Sequence, residues 1–94
     1  MKIFQIYVTD QALNDMKQIY DYISFYLESP QVALKQYNRI AKAIERLNFM
    51  PNRNKVINLG LERSVNIRQM IVDNYSIIYN IKDDVITVLR DYKK

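Results

Sequence analysis

The chain contains no histidine and no cysteine, and only one glycine among its 94 residues. Without cysteine there is no disulfide framework, no zinc-thiolate site and no thiol nucleophile. The missing histidine removes the side chain best suited to proton transfer near neutral pH, and the commonest metal ligand. Any catalysis therefore falls to Lys, Arg, Tyr, Asp or Glu. No apolar run approaches the ~20 residues of a membrane-spanning helix. The opening "MKIFQIYVTD" is too short and turns polar too soon for a signal peptide. A soluble, cytoplasmic protein is expected, and no residue pattern calls for a metal or a cofactor.

What is present is apolar and tyrosine-rich. Apolar residues make up 49% of the chain, with eight tyrosines and three phenylalanines. That is enough for the core of one domain, residues 1–94, without covalent staples. Fourteen Lys and Arg stand against ten Asp and Glu, a net charge of +4. Six basic and five acidic residues precede Asn52, whereas eight and five follow from there, so the excess lies in the second half. It permits an anionic partner without demanding one.

Periodicity divides the chain into six elements. In "KIFQIYV", Phe4, Ile6 and Val8 alternate with Gln5 and Tyr7, a strand with one face inward. Thr9 is placed as a helix cap, with Asp10 in the first turn where the helix dipole favours a carboxylate. Ala12, Met16, Ile19, Ile23 and Tyr26 then form one helical stripe, widened by Leu13, Tyr20 and Leu27. Ser29 and Pro30 open a second helix with Ala33, Tyr37, Ile40, Ile44 and Leu47 on its stripe, ending before Pro51. "PNRNKVINLGLE" reads as the one loop. "VNIRQMIV", "YSIIYNI" and "VITVLRDY" follow as a three-stranded meander, with turns at "DN" and "KDD". The order β-α-α-β-β-β predicts an α+β fold, a helical hairpin packed on a small antiparallel sheet of about four strands. The meander is apolar on both faces, and the hairpin covers one, so the other is expected to meet a partner protein.

Charged residues offer few sites. Arg68 lies in an otherwise apolar strand. Arg90 and Tyr92 share an alternation face at the end of the last strand, followed by Lys93 and Lys94, and an antiparallel meander brings Ser76 near them. A solvated edge that resists aggregation explains the same cluster. Arg53, Lys55 and Arg63 extend a basic rim. Lys35, Arg39, Lys42 and Arg46 make a cationic helix face, and Asp10, Asp15 and Asp21 an acidic one, both read as solvent-facing or as complements of an acidic partner segment. Asp83-Asp84 reads as turn chemistry, and no carboxylate pair suited to hydrolysis or metal binding is evident.

Together these motifs resemble the RelE/ParE superfamily of toxins from bacterial type II toxin–antitoxin systems. "ALNDMKQIYDYI" is similar to the first helix of the ParE-like branch, through Ile19, Tyr22 and Ile23. "SPQVALKQYNRIAKAIERLNFMP" resembles its second, ending in Leu47-x-x-x-Pro51, and Arg68, Val72, Tyr75, Ile77 and Tyr79 resemble its meander. The resemblance implies a RelE/ParE-like toxin domain, toxic alone, neutralised by a cognate antitoxin and associated with plasmid stabilisation. It implies two possible targets: DNA gyrase for ParE-like members, or messenger RNA in the ribosome for RelE-like ones. Ribonuclease chemistry needs a base, cations for the phosphorane and an acid. Here Ser76 stands where RelE-like enzymes carry arginine, and Ile67 and Gln69 where strand lysines are expected. Arg68, Arg90 and Tyr92 remain as catalytic candidates for that reading, and Arg68, Arg90, Tyr92, Lys93 and Lys94 as a target-binding edge. The ParE-like reading comes first, a ribosome-dependent endonuclease second, and a non-toxic binding module third.

Overall fold

The computed structural model describes residues 3–57 and 67–93. Strand β1 (Gln5–Val8) leads into helix α1 (Asp10–Asp21), which runs on into a π-helical turn, Tyr22–Tyr26. Helix α2 (Pro30–Glu45) follows, then two single 3₁₀ turns at Arg46–Asn48 and Pro51–Arg53. Strands β2 (Lys55–Val56), β3 (Ile67–Val72), β4 (Tyr75–Lys82) and β5 (Val85–Lys93) complete the chain. None of the described helices is long and apolar enough to cross a membrane.

The helix starts are where the capping residues place them. The Thr9 hydroxyl accepts from the Ala12 amide, and the Ser29 hydroxyl from the Val32 amide, each satisfying an orphan donor of the first turn. Pro30 occupies the first turn, where it forfeits no helical bond. The meander turns fall at Asp73-Asn74 and Asp83-Asp84. Asp73 and Asp83 both take the left-handed backbone, at φ 56°, a region Asp tolerates better than most residues.

Two expectations about the sheet are corrected. It has five strands in the order β1-β5-β4-β3-β2, not four, because Lys55–Val56 in the expected loop pairs with β3. It is also mixed rather than antiparallel: β1 lies parallel to β5, with Ile6 opposite Ile86 and Val8 opposite Val88. Alternation reports which residues face inward and is silent on strand direction. Residues 58–62 of the expected loop, including Gly60, and the first two residues of "VNIRQMIV" lie outside the described residues.

The helical hairpin packs on one face of this sheet. Ala12, Met16, Ile40, Ile44 and Leu47 meet Ile77, Tyr79, Ile86 and Val88, with Phe4, Ile6 and Val8 beside them. The first stripe departs from expectation at its end, for Ile23 is buried but Tyr26 is 72% exposed. A π turn takes more residues per turn than the 3.6 of an α-helical stripe, and so swings Tyr26 away from the sheet.

Candidate functional site

The distinctive local chemistry lies where α1 crosses the C-terminal half of β5. Strand β1 covers β5 only as far as Val88. Beyond it, α1 supplies the missing partners for that edge. The Thr9 amide donates to the Val88 carbonyl, and the Thr9 hydroxyl donates to the Leu89 carbonyl at 3.3 Å. Asp15 then acts as a substitute strand: its Oδ2 accepts the Asp91 backbone amide at 3.0 Å. The same carboxylate accepts from Arg90 Nε at 2.7 Å and Nη2 at 3.3 Å, and from Gln11 Nε2 at 3.4 Å.

A β-bulge decides which side chains arrive here. Val88 is opposite Tyr79, but the next pair is Arg90 with Ile78, so Leu89 is the extra residue. Without the bulge, Arg90 and Tyr92 would share the inward face of Ile86 and Val88. With it they point to the sheet face away from the helices, and Asp91 turns inward opposite Ile77. The Arg90 guanidinium reaches back around the edge to Asp15 and lies 5.3 Å from the Tyr92 ring centroid.

Asp91 is the unusual group. It is 1% exposed, and neither carboxyl oxygen has a hydrogen-bond partner. Burial pushes its pKa up to about 7, and the neighbouring Asp15 carboxylate adds to the rise. Asp15 behaves oppositely. Its burial raises the pKa, but the bonds from Arg90, the Asp91 amide and Gln11 outweigh that and hold it below the usual carboxylate value. Beside them opens a cleft of ≈ 440 Å³, walled by Ile19, Tyr22 and Tyr75, with Arg90, Tyr92 and Lys93 along the strand side. Burial raises the Tyr75 phenol, helped by the charges of Asp91, Tyr22 and Asp73.

The candidates read from sequence are not all brought together. Arg90, Tyr92 and Lys93 cluster at the end of β5, and Tyr92 is in register with Ser76. Ser76 is 3% exposed and accepts from Gln69 Nε2. Arg68 lies elsewhere. It pairs with Tyr79, on the helix side of the sheet, and its Nη1 donates to the carbonyls of Asn52, at 2.9 Å, and Asn54. Lys94 and Arg63 lie outside the described residues. Among the acidic helix residues, Asp15 is 6% exposed and is not part of a solvated face. Its position gave the signal, three residues after Ala12 and four before Ile19, on the stripe itself. No group of three or more acidic, histidine or cysteine side chains able to hold a metal occurs among the described residues.

On the face opposite the helices, Ile78 is only 2% exposed between Gln69 and Arg90, whereas Ile71 and Tyr92 are 43% and 41% exposed. That face is a mixture of shielded and open positions rather than a continuous apolar sheet.

Comparison with known structures recovers this architecture. The chromosomal ParDE system of P. aeruginosa matches with a TM-score of 0.78 at 22% identity, over 97% of this chain and 96% of that one. RelBE2, a toxin–antitoxin complex of Mycobacterium tuberculosis, matches at 0.68 and 18% identity, over 100% and 94%. The archaeal RelE-RelB complex of Pyrococcus horikoshii OT3 matches at 0.64 and 17%, over 97% and 94%. At these identities the likeness is one of fold, and no curated protein sequence matches the chain. The family model for the ParE toxin of the type II toxin–antitoxin system parDE, however, matches residues 6–90, from β1 to the arginine that closes on Asp15, and the chain belongs to that family.

Proposed function

We propose that residues 1–94 act as one ParE-like toxin domain, which arrests growth in the cytoplasm by binding a macromolecular target and is silenced by a cognate antitoxin. The target implied by the family is DNA gyrase. The observation that carries this reading over the ribonuclease one is the separation of the cations. Phosphorane stabilisation requires charges converging on one phosphate. Arg68 and Arg90 lie on opposite faces of the sheet and are engaged with Asn52 and Asn54 in one case and Asp15 in the other. In this reading the contact surface is the end of β5, with Arg90, Tyr92 and Lys93, and with Lys94 next in sequence. An antitoxin segment has ample apolar surface to cover: Phe25, Tyr26 and Leu27 at the hairpin tip, and Phe49 and Met50 after α2, are each more than half exposed.

Pulse-labelling of DNA and protein synthesis within minutes of inducing the chain alone tests the target. The expected result is an early fall in DNA synthesis with an induced damage response. An early fall in amino-acid incorporation, with messenger fragments, would instead establish a RelE-like endonuclease. Continued growth with both rates intact would leave a binding module.

A further inference from the structure

The cleft between α1 and the end of β5 carries an unmet demand for positive charge. Asp15 is saturated, because its two oxygens already accept from Arg90, Gln11 and the Asp91 amide. Asp91 lines the same cleft with both oxygens unpartnered, at 1% exposure. A buried carboxylate of this kind is stabilised only by a proton or by a cation that brings its own donors. Arg90 is committed to Asp15, and Lys93, on the wall of the cleft, forms no ion pair among the described residues. Two aromatic residues, Tyr22 and Tyr75, and the apolar Ile19 line it as well.

From this arrangement we infer that the cleft is a receptor for one primary alkylammonium group, the head of a lysine side chain of a bound protein, with Asp91 as its counter-ion. An ammonium is a compact charge on a flexible apolar stem with three donors, whereas a guanidinium is a broad planar fork. Its methylenes run along the lining of Ile19, Tyr22 and Tyr75, and its head meets the Asp91 oxygens. Arg90 and Lys93 repel a second charge, which favours a lysine over a free diamine. The inference goes beyond the toxin reading and holds without it. Asp91 itself lies one residue beyond the span matched by the family model.

The test uses the full chain with carbon-13-labelled aspartate carboxyls, titrated with n-butylammonium at about pH 8. A saturable shift of the Asp91 carboxyl and of the Tyr75 ring is expected. Affinity should fall roughly tenfold or more in Asp91→Asn, the loss of a charge-assisted bond. It should also fall at about pH 5.5 in the unsubstituted chain, where a proton competes. The ionisable groups facing Asp91 are Asp15 from α1, Tyr22 from the π turn, Tyr75 from β4, and Arg90 and Lys93 from β5. Asp15 is held low, and Tyr75 and Arg90 are raised, so none of those three supplies a competing titration between these pH values. Equal binding of n-butanol, equal binding by the Asn variant, or absence of saturation would overturn the site. Tighter binding of 1,4-diaminobutane or of n-propylguanidinium would overturn the lysine assignment. The pH arm requires no substitution, so poor folding of the variant does not spare the inference.

Discussion

At the scale of single residues, Asp15 and Asp91 impose opposite pH dependences on one small region. Asp91 titrates near 7 in the folded chain against an ordinary value of 3.8, so folded protein binds the extra proton between those limits. Stability therefore declines as pH rises through that window and levels off above it, by an amount on the order of a few kcal/mol. Asp15 is held below its ordinary value, so its contribution is present above that value and is lost on acidification. Replacing Asp91 by Asn removes the first effect while keeping the shape. Urea unfolding should find Asp91→Asn close to the parent chain at about pH 4 and more stable at about pH 8. Parallel stability curves at the two pH values would mean that Asp91 ionises freely in the folded state. Asp15→Asn should cost about 1–3 kcal/mol at neutral pH, because Arg90 keeps only a neutral acceptor and the Asp91 amide meets an amide group in place of a carboxylate. The same unfolding curves measure it.

At the scale of elements, two junctions hold the α hairpin and the sheet in register. One is Thr9, which caps α1 and simultaneously ties the Leu89 bulge carbonyl. Thr9→Val keeps the shape and removes both bonds. A loss of about 1–2 kcal/mol is expected from equilibrium unfolding, the range of an N-cap substitution. The other is Tyr79, wholly buried on β4, whose hydroxyl donates to the Pro51 carbonyl at 2.6 Å and accepts from Asn54 Nδ2 at 3.0 Å. Tyr79→Phe leaves both groups unpaired and should cost about 1–3 kcal/mol in the same measurement. Local sequence patterns reach only as far as these junctions. Caps, helix stripes and meander turns are local patterns, and Thr9, Ser29 and Asp73 declare them. The parallel pairing of β1, the π turn and the bulge at Leu89 are tertiary choices with no local signature. The bulge mattered most. By reversing alternation after Val88 it placed Asp91 inside and Arg90 outside, so the cluster at the chain's end was legible in composition but its facing was not.

At the scale of the whole molecule, the question is whether the end of β5 acts as a surface or as part of the framework. The basic excess lies in the second half of the chain, and Arg90, Tyr92 and Lys93 concentrate part of it beside a cleft lined by carboxylates. Arg68 belongs to the framework, for it bonds the backbone of Asn52 and Asn54, next to the 3₁₀ turn that Tyr79 also holds. Stability and toxicity should therefore separate. In the pair Tyr92→Ala and Lys93→Ala, Tyr92 is 41% exposed with Arg90 over its ring and Lys93 is exposed, so unfolding should change by about 1 kcal/mol at Tyr92 and by less at Lys93. Growth arrest on induction should nevertheless be relieved, because the proposed contact surface loses a charge and a ring. Arg68→Met should behave inversely, lowering the melting temperature while arrest persists at growth temperatures well below it. Growth curves paired with thermal unfolding of each variant distinguish the two cases. If arrest survives the β5 pair but disappears with Arg68→Met at unchanged soluble level, the working surface lies on β2 and β3, not at the end of β5.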